Sequence, residues 1–257
     1  MHNDDYLSFE EFTSFADFIS NKGAEIALSK YNGNFGKWDK LDGTVVTEVD
    51  LEIETLIRGE ITNKYPKHSI HGEEEEDVNK NSDYRWIIDP IDGTLNFAAG
   101  IPFYGILLGL CFQGKIIYGS YRLPSYNNIF VSGDGRTCCS NTFIPEKKIS
   151  STDTTNSLFL TTDEDRVSSS KYAKNWKELK KDSISRSWGD CFGYHMVLSG
   201  KADAMLDLNL KECDILPLIP IIKASGYSII NLSTKKYVDL IVCDPRLEEK
   251  IQIIFNL

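Results

Sequence analysis

Trp86-Ile87-Ile88-Asp89-Pro90-Ile91-Asp92-Gly93-Thr94-Leu95-Asn96-Phe97 is the stretch on which the reading of this chain turns. Its apolar start has the length of a buried strand. Two aspartates three residues apart then enclose Pro90-Ile91, and Gly93-Thr94 stands where a helix would begin. Pro90 fixes its own φ and biases Asp89 towards extended backbone, so both acids project from one strand end. Gly93 permits close backbone approach to a ligand, and free amides at a helix start bind phosphate readily. Hard oxygen ligands beside such a start suit magnesium held next to a phosphate. The same residue types also make an ordinary polar turn. This stretch alone leaves both readings open.

Composition narrows the classes of function. With 257 residues the chain can build one large core or two closely joined subdomains. Its 41% hydrophobic and 26% charged residues are those of a soluble globular protein. A net charge of −10 argues against a general affinity for nucleic acid or an anionic membrane. A phosphorylated substrate stays compatible with that charge if divalent cations stand between the two. The six cysteines show no CxxC spacing, and the polar, acidic first ten residues do not resemble a signal peptide. Free thiols and a cytoplasmic location are therefore expected. No apolar run approaches the roughly 20 residues needed to span a bilayer.

Upstream of the central stretch, apolar residues recur at helical spacing from Leu7 to Leu28, with a break expected near Asn21-Lys22-Gly23. Trp38 to Gly43 reads as a loop. Val46-Thr47-Glu48-Val49-Asp50 leads into a second helix, from about Asp50 to Lys64, and Asp50 is either its N-cap or a functional acid. Glu73-Glu74-Glu75-Glu76-Asp77 is either a solvated tip or the completion of a cation site.

Downstream, Tyr104–Phe112 and Lys115–Tyr121 form a hairpin through Gln113-Gly114, and Asn128–Val131 adds a strand. The Ser/Thr-rich segment Ile149–Asn156 marks a subdomain boundary, dividing residues 1–150, which carry the acidic motifs, from residues 151–257. In the second part, strands are expected at 157–160, 184–188, 202–208, 227–231 and 239–242. A basic helix is expected around Tyr172–Leu179, another from Gly189 to Ser199, one headed by Asp214 through Ala224, and a last one from Pro245. Strands alternate with helices but include hairpins, so the expected architecture is a layered α/β sandwich with mixed sheets. Spacing alone supports no more than a divalent-metal site at Asp50, Glu73, Asp89, Asp92 and Asp214.

The central stretch closely resembles the signature of the inositol monophosphatase family. That family's upstream Val-Thr-x-x-Asp is matched by Val46 to Asp50, its Gly-Glu-Glu by Gly72-Glu73-Glu74, and its late aspartate and glycine by Asp214 and Gly226. The resemblance runs from about Phe12 to the C-terminus. It implies a layered α/β/α/β/α fold and a magnesium-dependent phosphomonoesterase. By this resemblance Glu73, Asp89, the Ile91 carbonyl, Asp92 and Asp214 hold two or three Mg2+ ions. Asp50 holds Thr94, and Thr94 with Glu73 orients a water for in-line attack on phosphorus. Asp92, Gly93, Thr94, Glu74, Arg186, Asp190 and Asp207 make up the expected substrate-binding set. A homodimer and inhibition by lithium are also implied.

The substrate reading rests on fewer residues. Inositol-specific members resemble Gly-Thr-Ala where this chain has Gly189-Asp190-Cys191. Arg186 to Tyr194, Lys40 to Thr47 and Leu218 to Ile221 look like the histidinol-phosphatase branch, which serves histidine biosynthesis. Histidinol phosphate carries an ammonium and an imidazole, and carboxylates at Asp190 and Asp207 suit that positive end. Asp190 also suits an N-cap. Cys213 stands where many members have Trp, and Gly226-Tyr227 where Gly-Gly is usual. An inositol-phosphate or broad sugar-phosphate phosphatase is the alternative, and a non-catalytic metal-binding module the more distant one.

Overall fold

A computed structural model of the protein describes residues 7–41, 43–142, 157–235 and 237–257. Asp42 and the expected boundary at Ile149–Asn156 lie outside the described residues.

Helix α1 (Phe9–Lys30) is capped by Ser8, whose side chain accepts the Glu11 N–H. It runs through Gly23 without the expected break. A Cβ there would lie 2.9 Å from Ile106 and 3.0 Å from Ile53, so the glycine lets the helix approach its neighbours closely. Strands β1 (Lys37–Asp39) and β2 (Val45–Thr47) pair antiparallel, where only a loop was expected before Thr44. Helix α2 (Glu48–Lys64) begins at Thr47, not at Asp50. The Thr47 hydroxyl caps the helix, and the Asp50 carboxylate accepts the Thr47 N–H at 2.9 Å.

Strands β3 (Ser69–Gly72), β4 (Tyr84–Asp92), β5 (Gly105–Phe112), β6 (Lys115–Leu123), β7 (Ile129–Gly133) and β8 (Cys138–Ser140) form one six-stranded sheet in sequence order. Only β3 and β4 run parallel. Helix α3 (Thr94–Ala98) follows β4 directly. A second sheet has the order β10-β9-β11-β13-β12. Its strands are β9 (Leu158–Thr161), β10 (Ile184–Arg186), β11 (Ala204–Asp207), β12 (Ser228–Asn231) and β13 (Leu240–Cys243). Its helices are α4 (Glu164–Ser169), α5 (Ala173–Leu179), α6 (Asp190–Leu198), α7 (Glu212–Ile215), α8 (Ile219–Ala224) and α9 (Glu248–Phe255). The single helix expected from Asp214 is two short ones, because Pro217 interrupts the hydrogen-bonded backbone between them.

Among the described residues, three large hydrophobic cores hold the layers together. Phe12, Ile19, Ile53 and Ile57 of α1 and α2 pack on Trp86, Ile88 and Leu108 of the first sheet. Leu107 and Tyr121 of that sheet meet Val197, Ile219 and Ile222 of α6 and α8, which also meet Met205 and Val242 of the second sheet. Trp176 and Ile251 of α5 and α9 cover the second sheet's other face at Phe159 and Ile241. The layers are thus α/β/α/β/α, as expected. No helix among the described residues is long and apolar enough to cross a membrane.

Two features of the middle layer give tests. A Cβ on Gly119 would lie 1.8 Å from the Pro217 carbonyl oxygen, so the chain between α7 and α8 rests on bare backbone of β6. Gly119→Ala should lower the unfolding free energy by about 3 kcal/mol through overpacking. Exposed Gly59 of α2 has nothing within 4 Å of such a Cβ, and Gly59→Ala should instead add about 0.5–1 kcal/mol. Urea denaturation of both variants checks the contrast.

His195 is buried against Tyr121, whose oxygen lies 2.9 Å from its Nδ1. Burial and then the Lys201 charge push its pKa down to about 4. The unfolded chain therefore binds the extra proton between pH 6.5 and 4, and stability falls as pH falls through that window. Between pH 7 and pH 4.5, His195→Gln should lose about 2 kcal/mol less than the parent chain.

Candidate active site

A β-bulge at the end of β4 organises the site. Asp89 faces Leu107 and Asp92 faces Gly105 across the ladder, so three steps on β4 match two on β5. Side chains three apart on a regular strand point to opposite faces, and the extra residue brings both aspartates to the same one. Pro90 suits the bulge because it has no N–H to contribute to a ladder. Gly93 then turns the chain with φ +91°. A Cβ there would meet the Phe103 carbonyl at 2.8 Å and the Asp190 carboxylate at 3.0 Å. Glycine is required here on both counts.

These elements open onto a cleft of about 760 Å³. Glu73, Asp89, Ile91, Asp92, Gly93 and Thr94 line it, as do Asp190, Asp207 and Asp214 from the second half of the chain. Glu73, Asp89 and Asp214 each place one carboxylate oxygen within 4.8 Å of the others. Asp89 is almost fully buried, and its Oδ1 has no hydrogen-bond partner. A buried acceptor without a donor, inside a cluster of oxygen donors, fits a hard divalent cation. Asp92 is not gathered into the same trio: one of its oxygens receives the Cys191 N–H. The Ile91 carbonyl accepts the Thr94 hydroxyl at 2.9 Å and keeps a second lone pair.

The charges here are mutually unfavourable. Burial first, and then Glu73, Asp92 and Asp214, raise the Asp89 pKa well above the usual carboxylate range. Burial, then Asp190 and Asp214, do the same to Asp92. Asp214 is raised by burial and Glu73, although it accepts the Lys211 N–H at 2.8 Å. Two ammonium groups offset part of this charge. Lys40 Nζ lies 3.2 Å from Glu73 and 2.7 Å from Glu74, and Lys211 Nζ lies 3.2 Å from Glu73.

Asp50 lies beneath the cleft, fully buried, and its Oδ1 is 2.9 Å from the Thr94 hydroxyl. Burial pushes its pKa up to about 6, with the bonds from Thr47 and Thr94 acting in the other direction. Asp190 does not cap α6 with its side chain: Gly189 holds the cap position. It sits instead at φ +54°, a left-handed backbone unusual for a residue with a Cβ. Its carboxylate accepts from the Asn96 amide at 2.9 Å, and its N–H donates to the Thr162 hydroxyl. That hydroxyl donates in turn to Asp207 at 3.0 Å. Burial and then Asp190 push the Asp207 pKa up to about 7.

Two expected substrate contacts do not reach the cleft. The Glu74 side chain is buried against Lys40 behind Glu73. Arg186 is exposed on β10, an edge strand, and its Nη1 donates to the adjacent Ser185 carbonyl. The arginine that lines the cleft is Arg166 of α4, with Asp163 and Asp165 beside it. The charged run Asp163 to Arg166 immediately follows β9, and loops at the ends of parallel strands commonly carry binding residues. That was the available signal.

The sequence profile of the inositol monophosphatase family matches residues 9–255. A histidinol-phosphatase of Chlorobaculum parvum is 31% identical over 210 residues, covering 81% of each chain. A fructose-1,6-bisphosphatase/inositol-1-monophosphatase of Aquifex aeolicus is 28% identical over 213 residues, covering 77% of this chain and 79% of that one. Among solved structures, the extragenic suppressor protein suhB of Bartonella henselae superposes with a TM-score of 0.86 at 20% identity. It covers 95% of this chain and 98% of that one, a likeness of fold. The chain belongs to the inositol monophosphatase family, and it is a metal-dependent phosphatase acting on phosphoric monoesters.

The carboxylate trio gives the test of metal binding. Added Mg2+ or Mn2+ should raise the melting temperature, by the equivalent of about 2.7 kcal/mol at one hundred times the dissociation constant. Asp89→Asn should abolish most of that gain in differential scanning fluorimetry. An unchanged gain would place the cation elsewhere.

Proposed function

We propose that this member of the inositol monophosphatase family hydrolyses L-histidinol phosphate to L-histidinol and phosphate. The observation that carries the reading is Asp190, held in a left-handed conformation with its carboxylate in the cleft and bonded to a neutral amide. Such a carboxylate is suited to an ammonium or imidazolium on the substrate. Asp163 and Asp165 line the same cleft and extend its negative character. The 31% identity to a protein named histidinol-phosphatase supports the same choice. Asp207, already bonded to Thr162 and to the Leu208 N–H, acts mainly by fixing Thr162 beneath Asp190.

In this reading Glu73, Asp89 and Asp214 hold magnesium, with Asp92 and the Ile91 carbonyl adjoining them, and two or three ions are held in all. Bound magnesium neutralises phosphate oxygens and makes water a competent nucleophile near neutral pH. The chain's own part is positional. Asp50 accepts the Thr94 hydroxyl, so the lone pairs of that oxygen are available towards the cleft. Thr94 and the Glu73 carboxylate orient the attacking water; its oxygen bonds to phosphorus as the P–O ester bond breaks, Glu73 takes its proton, and a second water protonates the leaving alkoxide. Backbone at Gly93 and Thr94 meets the phosphate. Action in the cytoplasm, a homodimer and lithium inhibition are proposed with the family reading.

A second reading is favoured by Arg166. A guanidinium in the cleft suits a sugar phosphate with a second anionic or hydroxyl-rich end, and the Aquifex aeolicus relative is named for such substrates.

Phosphate release from L-histidinol phosphate and from inositol 1-phosphate, measured side by side with magnesium and with chelator, separates the two. Histidinol phosphate should be preferred at least tenfold in kcat/KM. Asp190→Asn should lower its kcat/KM by roughly 10- to 100-fold, the worth of a charge-assisted contact, and affect inositol phosphate much less. Equal rates, or an equal loss on both substrates, would overturn the assignment.

A further inference from the structure

The acidic run after β3 is a poor candidate for an ordered segment, because it puts four consecutive glutamates, Glu73 to Glu76, beside a cleft that Glu73 lines together with Asp89 and Asp214. Coulomb repulsion should push it out into solvent. It is held from behind by a buried ion pair on α2. Glu54, with no exposed surface, accepts the Glu74 N–H at 2.9 Å on Oε2 and the Glu75 N–H at 3.0 Å on Oε1. Arg58 donates from Nε to Glu54 Oε1 at 2.7 Å. Its Nη1 and Nη2 donate to the carbonyls of Glu76 at 3.0 Å and Glu75 at 2.9 Å. The pair therefore grips the backbone of the run and leaves the Glu73 side chain free to point into the cleft. Gly72 makes room for it: a Cβ there would lie 1.9 Å from Glu54 Oε1 and 2.6 Å from Arg58 Nη2.

Asp50, Glu54 and Arg58 are four residues apart in turn and so lie along one face of α2. Asp50 holds Thr94 from one end of that face, and the Glu54–Arg58 pair holds the loop of Glu73 from the other. We infer that Glu54 and Arg58 are positioning residues for the divalent-cation site, setting Glu73 against Asp89 and Asp214 and at a fixed separation from Thr94. The inference rests on the proposed role of Glu73 as a cation ligand. A rigid helix is a better ruler than a loop, and partners that orient metal ligands commonly matter 10- to 100-fold to affinity.

Mn2+ affinity, read by electron paramagnetic resonance on the intact chain without substrate, tests this. Glu54→Gln replaces one acceptor oxygen by an amide nitrogen that opposes a loop N–H, and should weaken Mn2+ binding about tenfold. Arg58→Lys loses the two-pronged grip on the carbonyls and should weaken it roughly threefold; it carries the test if Glu54→Gln fails to fold. Ile57→Val, a core change on the same helix, should lower the melting temperature without altering the Mn2+ dissociation constant. Hydrogen exchange at the Glu74 and Glu75 amides should accelerate in the first two variants only. Unchanged Mn2+ affinity in Glu54→Gln and Arg58→Lys, with melting temperatures lowered as in Ile57→Val, would reduce the pair to a structural brace. Failure of the parent chain to bind Mn2+, or binding that survives Asp89→Asn, would remove the cation site and this inference with it.

Discussion

Crowding of like charge is the constraint on which the rest of the molecule depends. Carboxylate oxygens of Glu73, Asp89 and Asp214 lie within 4.8 Å of one another, with Asp92 and Asp190 close by in the same cleft. At that separation each ionised pair repels by on the order of 3 kcal/mol in a medium with the effective dielectric of a protein site. No gain in packing comes from this arrangement. The three apolar cores on either side of the two sheets supply the stability that lets the fold tolerate it. A site built at such a cost is complementary to positive charge, and Lys40 and Lys211 meet only part of that demand.

The acids come from separate parts of the chain, and each is placed by a different device. A bulge turns Asp89 and Asp92 to one side of β4. A capping box at Thr47 seats Asp50 in the first turn of α2, directly below Thr94. Pro217 ends α7, and the bare backbone of Gly119 allows that segment to settle on β6 with Asp214 over the cleft. A strained backbone at Asp190 is kept by the Asn96 and Thr162 bonds, and strain of this kind concentrates where chemistry is done. The first half of the sequence thus supplies Glu73, Asp89 and Asp92, and the second half Asp190, Asp207 and Asp214, around one cleft.

Much of this was legible in the linear sequence, because the acids that matter sit in short motifs with turn and helix signals around them. Asp50, Glu73, Asp89, Asp92 and Asp214 could be marked as acids that follow a loop or head a helix, while the pairing of Thr94 with Asp50 came from the family resemblance. The layered architecture followed from alternating strand and helix patterns. What the sequence could not display was contact across long separations. Arg186 looked useful because of the motif that follows it, yet it points to solvent from an edge strand. Arg166, which no motif singled out, is the one that reaches the cleft. Glu54 and Arg58 are four residues apart on α2, and only the fold shows the loop backbone they hold. Asp190 suited both a substrate carboxylate and an N-cap in the sequence, and the fold gives the cap position to Gly189 instead.

The central claim is that the carboxylate trio of Glu73, Asp89 and Asp214 is the site of a catalytic divalent cation. Anomalous diffraction from crystals soaked in Mn2+ tests it most directly, because it locates the ion without reference to substrate or rate. The account predicts a strong peak in contact with oxygens of Glu73, Asp89 and Asp214, with any further peaks adjoining Asp92. A peak elsewhere, with the trio empty at saturating Mn2+, would contradict it.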